Sequence, residues 1–188
     1  MREGKSLAGN IILCGFMGSG KTSVGRRLAK LLDREFCDLD RFVEERAGMT
    51  VSQIFAQFGE EGFREREAQA VEEIAREKSL VVASGGGTVL FPRNVEGFHR
   101  GGGEILYLDV PLPALQERLK NDKRRPLLQK PNRRQVIADL YAQRCPLYQA
   151  AADRTIDAGA PAIVVARRIA ALYGSQPAGR RGIGAKKS

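Results

Sequence analysis

Eight consecutive residues carry the clearest chemistry in the chain. Gly15-Phe16-Met17-Gly18-Ser19-Gly20-Lys21-Thr22 spells G-x-x-x-x-G-K-T directly after the apolar run Asn10-Ile11-Ile12-Leu13-Cys14. Glycines at these places let the backbone curl round an anion, so that several N–H groups and the positive end of the following helix dipole point at it. In such a P-loop the lysine reaches the β- and γ-phosphates of a nucleotide and the threonine hydroxyl ligates Mg²⁺. Average composition makes a chance match in a chain of this length an event of about one in a hundred. The strand–loop–helix setting lowers that further. The chain is therefore expected to bind a nucleoside triphosphate, with Gly18, Ser19, Gly20, Lys21, Thr22 and Ser23 at the phosphates.

Other residue types sort by their place relative to this loop. Asp38 and Asp40 close a second apolar segment as Phe36-x-Asp38-x-Asp40. Read as strand residues two apart, they point the same way and face one ligand. One then suits a Mg²⁺ shell and the other a substrate hydroxyl; the plain alternative is helix N-capping by Asp40. Asp109, at the end of Ile105-Leu106-Tyr107-Leu108, imitates a magnesium aspartate but is followed by Val110-Pro111 and ranks below Asp38. Gly85-Gly86-Gly87 follows a strand and falls on the P-loop edge, whereas Gly101-Gly102-Gly103 precedes one and falls on the opposite edge. Arg64, in Glu60-Glu61-Gly62-Phe63-Arg64-Glu65-Arg66-Glu67, reads by itself as part of a solvated, ion-paired helix face. Arg144, just before Cys145-Pro146, reads the same way.

The elements that must position these groups alternate. Strands are expected at 10–14, 35–39, 80–84, 104–110 and 155–157, and helices at 22–32, 40–46, 50–58, 60–78, 113–120, 133–149 and 162–173. Thr50-x-x-Gln53 opens one helix with a capping box, and Pro146 is expected to bend another. Strands alternating with helices predict a three-layer α/β/α fold around a five-stranded parallel sheet, whose ligands lie beyond the carboxyl ends of the strands.

Composition sets the outer bounds. The 188 residues suit one domain, expected over 1–174, and 43% hydrophobic with 28% charged residues is ordinary for a globular protein. No apolar stretch approaches the roughly 18 residues that span a bilayer. Met1-Arg2-Glu3-Gly4-Lys5 runs straight to the first strand, so the expectation is a cytoplasmic protein without a membrane partner. Three cysteines without ligand spacing read as reduced thiols, and the single histidine, His99, reads as a solvated loop residue. The net charge of +9 is concentrated. Between Arg118 and Arg134 eight Lys or Arg face one acid, Asp122, while residues 175–188 hold Arg180, Arg181, Lys186 and Lys187 with no acid. The glycine-rich tail is expected to be disordered.

Taken together these segments resemble the shikimate kinase family, over nearly the whole chain from Asn10 to Tyr173. The likeness rests on the P-loop, Asp38-x-Asp40, Phe63-Arg64-x-x-Glu67, Gly85-Gly86-Gly87, Arg125-Pro126-Leu127-Leu128 and Arg144-x-Pro146-Leu147-Tyr148, in family order. It implies a nucleoside-monophosphate-kinase-like P-loop fold and transfer of the ATP γ-phosphoryl group to the 3-hydroxyl of shikimate, with Mg²⁺, in aromatic amino-acid biosynthesis. It implies that Arg64 and Arg144 clamp the shikimate carboxylate, a task that suits planar guanidinium groups. Asp40 would hold the ring hydroxyls and orient the attacking one, and Asp38 would join Thr22 at the metal. Gly85 and Gly86 would approach the substrate, with Phe55 and Phe63 as apolar walls. Substrate-binding helices would span about 40–78. Arg118 would lie against adenine, and Arg125 would be the cation of a lid over about 118–134. Some members carry an arginine after the fifth strand that completes the adenine sandwich; Asp157-Ala158-Gly159-Ala160-Pro161 has none.

Three rival readings fit parts of the same residues. A gluconate or nucleoside monophosphate kinase shares the P-loop. A nucleic-acid binder would use the basic cluster, but four Tyr, eight Phe and no Trp offer few stacking platforms. A kinase-derived scaffold fits poorly with Lys21, Thr22, Asp38, Asp40 and Arg125 all present. The expected assembly is a monomer with a small-molecule partner. A lid cation contributes to the transition state, so Arg125→Ala is expected to lower kcat by about a hundred- to a thousandfold and leave acceptor binding nearly unchanged in a steady-state assay.

Overall fold

The computed structural model describes residues 9–122 and 132–174. Its elements alternate in the predicted order, with a 3₁₀ turn and a helix, α4, added between the third and fourth strands: β1 (Ile11–Cys14), α1 (Lys21–Leu32), β2 (Glu35–Asp38), α2 (Leu39–Ala47), α3 (Val51–Arg76), β3 (Leu80–Ala83), a 3₁₀ turn (Thr88–Leu90), α4 (Pro92–Arg100), β4 (Glu104–Asp109), α5 (Leu112–Leu119), α6 (Arg133–Ala151), β5 (Arg154–Asp157) and α7 (Ala162–Leu172). The expected tail at 175–188 and the lid residues 123–131, Arg125 among them, lie outside the described residues.

All five strands are parallel, in the order β2-β3-β1-β4-β5. Ile11 pairs in register with Val81 on one side and Glu104 on the other. The central strands are apolar on both faces because helices cover both. Ile11, Ile12, Leu13 and Cys14 are all buried, as are Val81, Val82 and Ala83. The crossover from β1 to β2 moves one way along the sheet and that from β3 to β4 the other. Right-handed connections therefore place α1 and α4 on opposite faces. α1 packs against α7, and α3 packs against α2 and α4. The switch in direction opens a crevice at the carboxyl ends of β1 and β3.

Local chemistry explains the helix limits. The Thr50 hydroxyl accepts the Gln53 N–H at 3.3 Å while Gln53 Oε1 accepts the Thr50 N–H at 2.8 Å, which is the expected capping box. α3 breaks at Gly59 alone, at φ 68° and ψ −170°, a conformation essentially reserved for glycine. The predicted helices at 50–58 and 60–78 are the two sides of that break. α6 continues through Pro146 to Ala151.

Two expectations are corrected. His99 is not in a loop but in the last turn of α4, where its Nε2 lies 3.1 Å from Asp153 Oδ2. That helix escapes sequence reading because Gly97 and Gly101 flank its last turn. Gly97 packs so closely that a Cβ there would lie 3.0 Å from Val71. Asp38 and Asp40 are also not two residues of one strand. β2 ends at Asp38, and Asp40 stands in the first turn of α2, so the turn of a helix sets their relation. Neither caps that helix with its side chain; Asp38 occupies the N-cap position, and its carboxylate is engaged elsewhere.

Asn10 ties three elements below the sheet. Its Nδ2 donates to Ile74 O and Glu77 O, each at 3.0 Å, and its Oδ1 accepts the Leu80 N–H at 3.0 Å. The residue is buried. Asn10→Ala would remove these three bonds, leaving Ile74 O with the Glu77 N–H but the Leu80 N–H without its acceptor, and urea unfolding is expected to show a loss of about 2–4 kcal/mol.

Candidate active site

The P-loop leaves β1 at the crevice and enters α1 through Gly20, whose φ of 94° turns the chain into the helix. Lys21 Nζ donates to Gly15 O at 2.7 Å and Phe16 O at 3.2 Å, so the ammonium is held over the loop. Ser19 is buried within the turn, its N–H on Phe16 O at 3.1 Å. The Thr22 hydroxyl donates to Asp38 Oδ2 at 3.0 Å. That contact brings together the two oxygen donors expected at a magnesium ion. Mg²⁺ is commonly held by one or two protein oxygens together with substrate phosphates, and this pair beside the loop fits that donor set. Asp109 accepts instead from Tyr107 at 3.1 Å and does not line the cleft, which supports ranking it below Asp38.

A cleft of about 370 Å³ opens beside the loop. Gly18, Gly20, Lys21, Thr22 and Ser23 form one wall; Asp38, Asp40, Gly86 and Arg144 face them. The sequence separates these groups by more than a hundred residues, and the sheet edge joins them. A larger cavity, about 630 Å³, runs along β2 and shares only Asp38 with the cleft. Phosphate chemistry belongs to the smaller one, because the P-loop lines it.

Arg64 is the clearest correction to the unaided reading. Its side chain is 18% exposed, not solvated, and its Nη1 lies 2.8 Å from Glu67 Oε2. Glu67 has no solvent exposure, and its second oxygen accepts the Thr88 hydroxyl at 2.7 Å. Phe63 and Phe91 flank the guanidinium at 5.2 and 4.9 Å. A buried carboxylate needs such pairing. Glu67 is the residue that sequence reasoning leaves without a role; its i,i+3 spacing from Arg64 was the available signal. The glycine turn packs against the same cluster. A Cβ at Gly87 would lie 2.7 Å from Arg64 Nη2, and one at Gly85 would lie 2.7 Å from Asp40 Oδ1, so side chains there would displace the site.

Phe55 and Phe63 stack at 4.8 Å, but Phe63 is core while Phe55 is 39% exposed. At the far end Arg118 spans two loops. It donates to Gly18 O at 3.2 Å and to Gly159 O at 3.2 Å, which places it between the P-loop and the segment after β5.

Asp40 is the perturbed group of the cleft. Its carboxyl is pushed up to about 6, first by desolvation and then by the charges of Asp38 and Glu67, while Lys21 pulls it down. The group keeps solvent contact through the open mouth. Burial pushes the Cys14 thiol up to about 12 and Cys37 up to about 11, so neither supplies a thiolate at neutral pH. The arrangement provides an anion cradle, a hydroxyl acceptor and two arginines.

The family model described as "Shikimate kinase" matches residues 17–173. A shikimate kinase from Aromatoleum aromaticum is 46% identical over 149 residues, 79% of this chain and 85% of that protein. The structure of shikimate kinase from Acinetobacter baumannii in complex with shikimate superposes with a TM-score of 0.81 at 42% identity, covering 90% of this chain and 94% of the other. A gluconokinase from Sinorhizobium meliloti shares the fold alone, at a TM-score of 0.58 and 16% identity.

Because Asp40 binds its proton more tightly folded than unfolded, its contribution to stability falls as pH rises from about 4 through 6. Above that range the ionised carboxylate works against the fold. Asp40→Asn is therefore expected to melt higher than wild type near pH 8, with the gap closing near pH 4.5, in thermal scans. Turnover is expected to fall by about a hundredfold or more.

Proposed function

Since the chain belongs to the shikimate kinase family, transferring the ATP γ-phosphoryl group to the 3-hydroxyl of shikimate in aromatic amino-acid biosynthesis, we propose a division of labour among the residues of its cleft. The observation that carries it is the pair of arginines flanking one glycine turn. Arg64 is packed on Gly87 and Arg144 shares the cleft wall with Gly86, with Asp40 beside Gly85. A carboxylate placed against that turn meets two guanidinium groups, while a ring hydroxyl reaches Asp40.

Phosphoryl transfer passes through a loose transition state, so positioning and charge stabilisation carry most of the catalysis. Lys21 exchanges its carbonyl partners on the loop for the β- and γ-phosphates, gaining charge-assisted bonds. Asp40 is ionised at neutral pH, accepts a hydrogen bond from the attacking hydroxyl and takes its proton late in the reaction. Thr22 and Asp38 would hold Mg²⁺, which supplies charge neutralisation at the phosphates. Arg118 would turn its guanidinium face to adenine at the loop pair it now bridges. Arg125 would close over the phosphates and exclude water. Phe55, exposed and stacked on the fixed Phe63, would cover the ring.

The whole cleft comes from one chain, and we assign the working unit as a monomer in the cytoplasm. No helix among the described residues is long and apolar enough to cross a membrane.

With Mg²⁺-ATP, ADP release is expected to rise strongly with shikimate and to stay at background with gluconate, CMP or AMP. Stimulation by one of the others and not by shikimate would discard the acceptor. Arg64→Ala and Arg144→Ala are expected to raise KM for shikimate roughly ten- to a hundredfold, as loss of a charged hydrogen-bond partner does, with KM for ATP unchanged.

A further inference from the structure

Tyr148 touches both sides of the acceptor pocket from behind, without facing the cleft. The side chain has no solvent exposure, and its ring stacks on Tyr107 of β4 at 5.7 Å and 23°. Tyr107 is itself buried in the central sheet, so the ring has a rigid seat. From that seat the hydroxyl donates to Gly86 O at 2.5 Å. Arg144 lies one helical turn earlier on the same face of α6, and its guanidinium adjoins that hydroxyl.

The consequence follows from peptide geometry. In a trans peptide the C=O of one residue and the N–H of the next point in opposite directions, and the described chain has no cis bonds. Holding Gly86 O toward α6 therefore turns the Gly87 N–H the other way, away from α6. That N–H has no acceptor among the described residues. The carbonyls on either side are fixed by the chain itself, Gly85 O by the Thr88 N–H and Gly87 O by the Leu90 N–H. Gly86 O has Tyr148. Two adjacent glycines without Cβ atoms offer little resistance to rotation of the peptide between them, so an external partner has to set it.

We propose that the Tyr148 hydroxyl is a positioning group for the acceptor, fixing the Gly86–Gly87 peptide and the Arg144 guanidinium in one geometry so that an incoming carboxylate meets donors already aimed. The inference rests on the acceptor reading above. It explains why a tyrosine, and not an equally apolar phenylalanine, fills a fully buried place beside the cleft. The hydroxyl contributes preorganisation, which lowers what the acceptor must order on binding.

Tyr148→Phe keeps the stacked ring and removes only the hydroxyl. Its expected signature is a KM for shikimate raised about fivefold to tenfold, the effect of one lost hydrogen bond, with kcat and KM for ATP within about twofold of wild type. Tyr173→Phe is the control for loss of a tyrosine hydroxyl, since Tyr173 bonds Glu104 at 2.8 Å at the opposite end of β4. It is expected to leave all three constants unchanged. Amide NMR of the substrate-free protein gives a readout independent of turnover. The Gly86 and Gly87 resonances should shift or broaden in Tyr148→Phe and not in Tyr173→Phe. Unchanged glycine amides overturn the proposal even if wild type ignores shikimate, a result that would separately overturn the acceptor reading. A parallel loss in kcat, KM for ATP and melting temperature would also overturn it, marking Tyr148 as ordinary core.

Discussion

A carboxylate with no access to water organises the glycine turn beside this cleft. Glu67 is buried in α3 and must be compensated, and its compensation is what builds the site: Arg64 pairs with one oxygen and Thr88 donates to the other. The first contact draws a long, flexible arginine out of solvent and fixes it between Phe63 and Phe91. The second anchors the 3₁₀ turn that ends the glycine segment. The charge of Glu67 also reaches Asp40 and helps to raise its pKa. One buried acid thus positions a cation, shapes a loop and tunes a second acid.

The nucleotide half obeys a different constraint. Its chemistry resides in backbone N–H groups and a helix terminus, which require only that a strand end, a glycine-rich turn and a helix start follow one another. The parallel sheet then places that loop next to the ends of β2 and β3, so Asp38, Asp40 and the glycine turn arrive from separate connections. The Thr22–Asp38 contact is where the halves meet. Asp40 is held beside the like charges of Asp38 and Glu67; in the proposed division of labour that placement gives up stability for function.

How much of this the sequence carries depends on range. The P-loop, the strand order of appearance and the capping box at Thr50 are local patterns, and all are present where the spacing places them. Arg64 is not local: its burial comes from α3 packing on α4 and on the turn at Thr88, so helix periodicity alone makes it a surface residue. The strand relation of Asp38 and Asp40 fails for a related reason, since the strand ends two residues short of Asp40, although both residues line the cleft. His99 is hidden because glycines mask the short helix that carries it. Family resemblance names Arg64 and Arg144, but the parts played by the buried acid and the tyrosine hydroxyl behind them emerge from contacts between residues 21 and 62 positions apart.

The central claim is that a carboxylate is read by paired guanidinium groups beside the phosphate loop. Calorimetric titration with shikimate and with its methyl ester tests that directly, because the ester keeps the ring and hydroxyls and loses only the charge. The account predicts that the ester binds at least about tenfold more weakly, as loss of a charged hydrogen-bond partner requires. Equal affinities would contradict it and move recognition to the hydroxyls alone.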